Sequence, residues 1–146
     1  MKRNMMLTAV AGIFVFCLVS TARAQYADMP EEGKQVVAAA KFMMGQGQKL
    51  ATGKDIDRAW MVDDGHLLIK HGYDYMETGE MMYTAEGRSN MQEMGRDLLT
   101  AGQVLLKMGR QKGALTQKET DELKKQSDFL GGIGKLMLDK GQIMGG

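Results

Sequence analysis

The side chains of this sequence best suited to unusual chemistry are its thioethers. Fifteen methionines occur in 146 residues, three of them (Met1, Met5 and Met6) within the first 24 and twelve beyond. A thioether is a soft ligand that selects Cu(I) or silver where thiolates are missing. Met91 and Met94 stand three apart, on one face of any helix that holds them, and Met81 and Met82 form an adjacent pair upstream. If the chain folds back between the two groups, Met81, Met82, Met91 and Met94 meet near the tip of a hairpin and form a candidate copper site. His71 is a further candidate ligand, since a histidine paired with a methionine across a bundle can hold copper or, in a third reading, a b-type haem iron. The competing explanation is packing. Flexible thioethers fill uneven gaps in a core, and Met43, Met44, Met76, Met82 and Met137 all fall on the apolar positions of the repeat described below. That explanation needs no cofactor.

The remaining reactive side chains form no catalytic constellation. His66 and His71 are five residues apart, so on a helix they point about 140° from each other and do not chelate one ion. Asp63 and His66 share a face, as a surface ion pair also would. Asp63-Asp64 and Glu31-Glu32 are sequence neighbours that do not face each other on a helix, and Asp55 and Asp57 lack the glycine and terminal glutamate of a calcium loop. No serine or threonine lies in a nucleophile motif. Cys17 is the only cysteine, and it falls in the apolar leader described below. Disulfides, thiolate catalysis and Cys-ligated metals are thereby excluded from the rest of the chain. Trp60, the single tryptophan, reads as a core anchor. The sequence indicates a protein that is not an enzyme.

The elements that must position these residues are announced by glycine. Gly33-x-x-Val36-Val37, Ala40-x-x-Met43-Met44 and Gly47-x-x-Leu50-Ala51 open a series of small residues every seventh position. It resumes at Gly65, Gly72 and Gly79, then at Gly95 and Gly102, and finally at Gly134 and Gly141 in phase with Ser127. Seven residues are close to two helical turns, so each series lines one face of a helix. Glycine inside a helix costs about 1 kcal/mol relative to alanine. So many glycines therefore demand an offset, and close backbone approach between neighbouring helices is the best candidate. Gly65, Gly72, Gly79, Gly95, Gly102, Gly134 and Gly141 are read as that packing seam. Adjacent apolar pairs at a period of seven argue against alternating strands.

Capping signals divide the pattern into four helices. Asp28 and Glu31 have capping-box spacing and Pro30 suits a first helical turn, so helix 1 is expected over 29–51, closed by Gly53. Asp55 or Asp57 can cap helix 2, expected to end near Glu86-Gly87. Gly79 and Gly95 are two residues out of heptad phase. With Ser89 and Gln92 spaced as a further box, this places a turn near Gly87–Asn90 and helix 3 over 90–110. Thr116 and Glu119 form the clearest box and open helix 4, expected to run to about Met144. The expected fold is an all-α antiparallel four-helix bundle, or two long helical hairpins, with a heptad-spaced glycine seam. A continuous rod made of helices 2 and 3 is the alternative.

Residues 1–24 have the layout of an export signal. Lys2 and Arg3 precede the apolar run Met5–Val19, and Ala22-Arg23-Ala24 supplies a cleavage site before Gln25. The expectation is a periplasmic or secreted protein with one helical domain over 25–146. Removing Lys2, Arg3 and Arg23 reduces the basic residues from 19 to 16 against 18 acids, a net charge of −2 with histidine neutral. Charges alternate without a basic stripe and aromatics are few, so nucleic acid is not an expected partner. No apolar run beyond the leader approaches the roughly 20 residues that span a bilayer. A protein partner or self-association is expected instead, because glycine-rich helices with sparse bulky side chains fill a lone bundle weakly. The function read from the sequence is that of an exported binding or assembly protein, with soft-metal handling as the alternative.

Overall fold

The computed structural model describes residues 29–53 and 56–146. The leader expected at 1–24, and Asp28 and Asp55 as helix caps, lie outside the described residues. Four helices account for nearly all of the rest: α1 (29–52), α2 (Arg58–Met81), α3 (Ala85–Gly109) and α4 (Gln117–Gly145). They form an antiparallel four-helix bundle, with no strand among the described residues. The rod alternative is excluded by the break at Met82–Thr84. No described helix is long and apolar enough to cross a membrane.

The bundle consists of two tightly closed pairs, α1 with α4 and α2 with α3. Their contact is backbone against backbone. A Cβ placed on Gly72 would stand 2.8 Å from the carbonyl oxygen of Gly95, and one on Gly95 would stand 2.6 Å from the oxygen of Gly72. One heptad along, Gly65 and Gly102 face each other in the same way, at 3.0 and 2.7 Å. The series continues outward, with Gly79 against the Arg88 carbonyl and Gly109 against the Arg58 carbonyl. In the other pair Gly33 faces Gly141, Gly134 faces the Ala40 carbonyl, and Gly47 faces the Ser127 carbonyl. Ser127 stands where a glycine would be expected, and its hydroxyl donates to the Gly47 carbonyl at 2.9 Å. Such proximity gains dispersion and Cα–H···O contacts along each seam, which offset the poor helix propensity of glycine.

Where the two pairs meet, long apolar side chains fill the interior. Val36 and Met43 of α1, Met61 and Leu68 of α2, Met94, Leu98 and Leu105 of α3, and Leu130 and Met137 of α4 are all completely buried. Trp60 packs against this core from the start of α2. Asp57 caps α2 by accepting the Trp60 N–H at 2.7 Å. Both halves of the Thr116–Glu119 capping box are formed at α4. Gly53, with φ of +59°, closes α1 in the left-handed region.

The turn between α2 and α3 departs from expectation. It lies at Met82–Thr84 rather than Gly87–Asn90, and Ser89 and Gln92 are interior to α3. Thr84 is the cap, accepting the Gly87 N–H at 3.0 Å. A residue distant in sequence reinforces it. Glu32 of α1, only 5% exposed, accepts the backbone N–H groups of Tyr83 at 2.5 Å and Thr84 at 3.2 Å, and also the Thr84 hydroxyl. Gly87 is buried here, and a Cβ on it would meet the Glu32 carboxylate at 2.6 Å. The heptad phase of α3 thus begins at Arg88, whose backbone serves the seam while its side chain stays exposed.

Substitutions to alanine should separate the two kinds of helical glycine. Gly72→Ala and Gly95→Ala each force a Cβ onto a backbone carbonyl and should destabilise by about 1–3 kcal/mol. Gly45 and Gly132 have nothing within 4 Å of a Cβ, so alanine at either should stabilise by about 0.4–1 kcal/mol. Urea unfolding of the four single variants measures both signs.

Candidate functional site

The soft-donor residues differ in their surroundings. Met81 ends α2 facing solvent at 69% exposure, whereas Met82, the next residue, is turned inward at 4%. Met91 and Met94 are buried, Met91 with its Cβ packed beside Gly79. Met82 and Met91 thus share the closed end of the α2–α3 pair with Met144, whose sulfur accepts a hydrogen bond from the Asn90 amide at 3.6 Å. Met81 and Met82 both border a small cleft with Glu31, Glu32 and Gln35, Met81 from its exposed rim. His71 lies ten residues before Met81 along α2, about 15 Å at 1.5 Å per residue. Its ring stacks on Phe42 of α1 with centroids 4.3 Å apart, and Tyr75 closes the cluster at 5.9 Å. Burial beside these rings pushes the Tyr75 phenol up to about 12, so it remains neutral. His71 thus sits in an aromatic contact with α1. Among the described residues, no three histidine, aspartate or glutamate side chains are grouped as a metal site.

Two other ionic features were not singled out by sequence spacing. Arg58, in the first turn of α2, reaches the connection between α3 and α4. Its Nη1 donates to Glu119 Oε1 at 2.6 Å and to the Met108 carbonyl at 2.6 Å. Its Nη2 donates to Glu119 Oε2 at 2.9 Å and to the Ala114 carbonyl at 3.0 Å, and its Nε donates to the Gly113 carbonyl at 3.1 Å. Every edge of the guanidinium is used, in the bidentate geometry that makes arginine–carboxylate pairs strong. Gly113 adopts a φ of +86°, which presents that carbonyl. The pair forms one wall of a cleft of about 570 Å³ between the end of α3 and the start of α4, also lined by Val104, Lys107, Lys112 and Lys118.

Asp64 is the second. It is 6% exposed, its Oδ2 has no hydrogen-bond partner among the described residues, and burial raises its pKa against the opposing charge of Lys49. A third feature is apolar. Phe129, Leu136 and Ile143 stand on one outer face of α4, at 38%, 47% and 78% exposure. Their sevenfold spacing runs parallel to the small-residue series Ser127, Gly134 and Gly141 of the same helix. No protein-family model, curated protein or solved structure matches the chain.

Two pH responses follow. Hydrogen bonds from Arg58, and then from the Thr116 backbone, hold the Glu119 carboxyl down at about 2, against an ordinary 4.5. A depressed folded-state pKa contributes stability above the unfolded value and loses it as pH falls through the folded one. Melting temperature should therefore drop between about pH 4.5 and pH 2, and less steeply in Glu119→Gln. Asp64 has the opposite sign. Its raised folded-state pKa means the folded chain binds the proton more tightly, so this group adds stability on acidification and opposes folding when ionised. Asp64→Asn should melt higher than the parent at pH 7, with the difference shrinking as pH falls; thermal scans across pH test both variants.

Proposed function

We propose that this protein works by binding and self-assembly rather than by catalysis, and that it does so after export. The observation that carries the reading is the exposed row Phe129, Leu136 and Ile143 on α4. It extends over fourteen residues, about 21 Å of helix at 1.5 Å per residue. An exposed row of large apolar side chains at constant register marks an interaction surface more than an ordinary solvated face. The occupant we assign is a second copy. A two-fold axis through Leu136 sets Phe129 of each copy against Ile143 of the other, an isologous contact that closes on itself. Antiparallel helices with a seven-residue contact period already form both seams of the bundle. Gly132, exposed beside Leu136 with open space where a Cβ would stand, permits close approach on this face.

The charged and titratable groups support the same reading through the uses they already have. Arg58 and Glu119 fasten a connection, Glu32 fastens a turn, and Tyr75 packs in an aromatic cluster. The leader composition supports export. Sedimentation equilibrium should show a concentration-dependent dimer, and Leu136→Lys with Ile143→Lys should shift it to monomer while leaving the helical circular dichroism intact. A parent chain that is monomeric at every concentration overturns the self-association.

A further inference from the structure

We propose that the cleft between the end of α3 and the start of α4 binds an organic anion that carries an apolar body. The argument begins with charge. Of the ionic groups around the cleft, Arg58 and Glu119 neutralise each other, and every edge of the guanidinium is occupied by Glu119 or a backbone carbonyl. This pair builds the wall and holds the connection in place, leaving little for a ligand. Glu122 is engaged within its own helix, by Lys125 at 3.8 Å and the Gln126 amide at 2.9 Å. Lys107, Lys112 and Lys118 also line the cleft, and none of them makes an ion pair among the described residues.

These three lysines come from three different segments: the last turns of α3, the connection, and the first turn of α4. Like charges repel, and nothing in the fold requires them to share one concavity. Their common feature is the space between them. That space also has apolar lining, from the partly buried Val104 and the nearly buried Met108. A volume of about 570 Å³ lies within the range of roughly 300–1,000 Å³ usual for small-molecule sites, which pair an apolar lining with a few placed polar groups. The dipole at the start of α4 adds to the positive potential there. A simple inorganic anion would use the lysines and leave the Val104–Met108 surface uncovered. A neutral apolar compound would make no use of the lysines. A carboxylate, sulfonate or phosphate on a hydrocarbon body satisfies both.

Decanoate is a suitable probe, with decanol and inorganic phosphate as controls for its two halves. In ¹⁵N-resolved spectra of the protein, decanoate should produce saturable shifts at Val104, Lys107, Met108 and Lys118, while each control produces weaker or unsaturated shifts. Lys107→Gln, Lys112→Gln and Lys118→Gln combined should weaken decanoate binding by about tenfold or more and remove its dependence on salt. The lysines are exposed, and glutamine is a good helix former, so the variant should keep the parent's circular dichroism and melting temperature. Absence of saturation at the cleft overturns the proposal. So do shifts centred instead on Phe129, Leu136 and Ile143, or a triple variant that binds as the parent does. Val104→Asn, polar but uncharged, in the lysine-containing background tests the apolar half separately: it should weaken decanoate without changing the response to phosphate, and unchanged decanoate binding reduces the site to a charge patch and overturns it.

Discussion

Each closed pair in this bundle rests on a carbonyl oxygen standing where a neighbouring helix has no Cβ. Gly72 with Gly95 and Gly65 with Gly102 set α2 on α3, and Gly33 with Gly141 sets α1 on α4. A single methyl group at any of these points would meet main-chain atoms that cannot rotate aside. The seven-residue step then keeps the contact on one face along the whole helix, since two turns return almost to the same direction. Much of the remaining architecture follows. With each pair closed backbone to backbone, the bulky side chains must project into the space between pairs. There Met43, Met61, Met94 and Met137 fill it together with leucines. Their adaptability suits an interior whose outline is set by the main chain.

Tightly closed pairs still need to be joined, and polar side chains do this at opposite ends of the α2–α3 pair. At the tip, the Glu32 carboxylate of α1 takes up the N–H groups of the Tyr83–Thr84 turn. At the base, Arg58 of α2 takes hold of Glu119 of α4 and the connection leading into it. Both are charge-assisted contacts to backbone or capping groups, stronger than neutral hydrogen bonds and exacting in direction. They fix register where apolar packing alone would tolerate sliding.

The outer surfaces carry what the interior does not use. On α4 the seam face and the exposed Phe129–Ile143 face lie on different sides of one helix, each repeating every seven residues. A helix with two such faces can pair twice, once within its own chain and once outside it. The cleft at the α3–α4 connection is separate, built by the bend in the chain and by the Arg58 anchor.

The helices, the period of their contacts, and the caps that depend only on near neighbours are all legible in the amino-acid sequence. Asp57 before Trp60 and Thr116 before Glu119 act within one turn of chain, so their spacing is sufficient. Gly109 is in phase with Gly95 and Gly102, although no apolar pair follows it. Tertiary structure decided the rest. The α2–α3 turn moved to Met82–Thr84 because Glu32, about fifty residues distant, supplies an acceptor there that no local pattern contains. Met81 and Met82 took opposite environments because the helix break rotates one residue outward and the next inward. His71 meets Phe42 of α1, a contact that spacing along α2 does not contain. Periodicity specifies which residues share a face; which helix will cover that face depends on the closest approach available, and only the assembled backbone sets it.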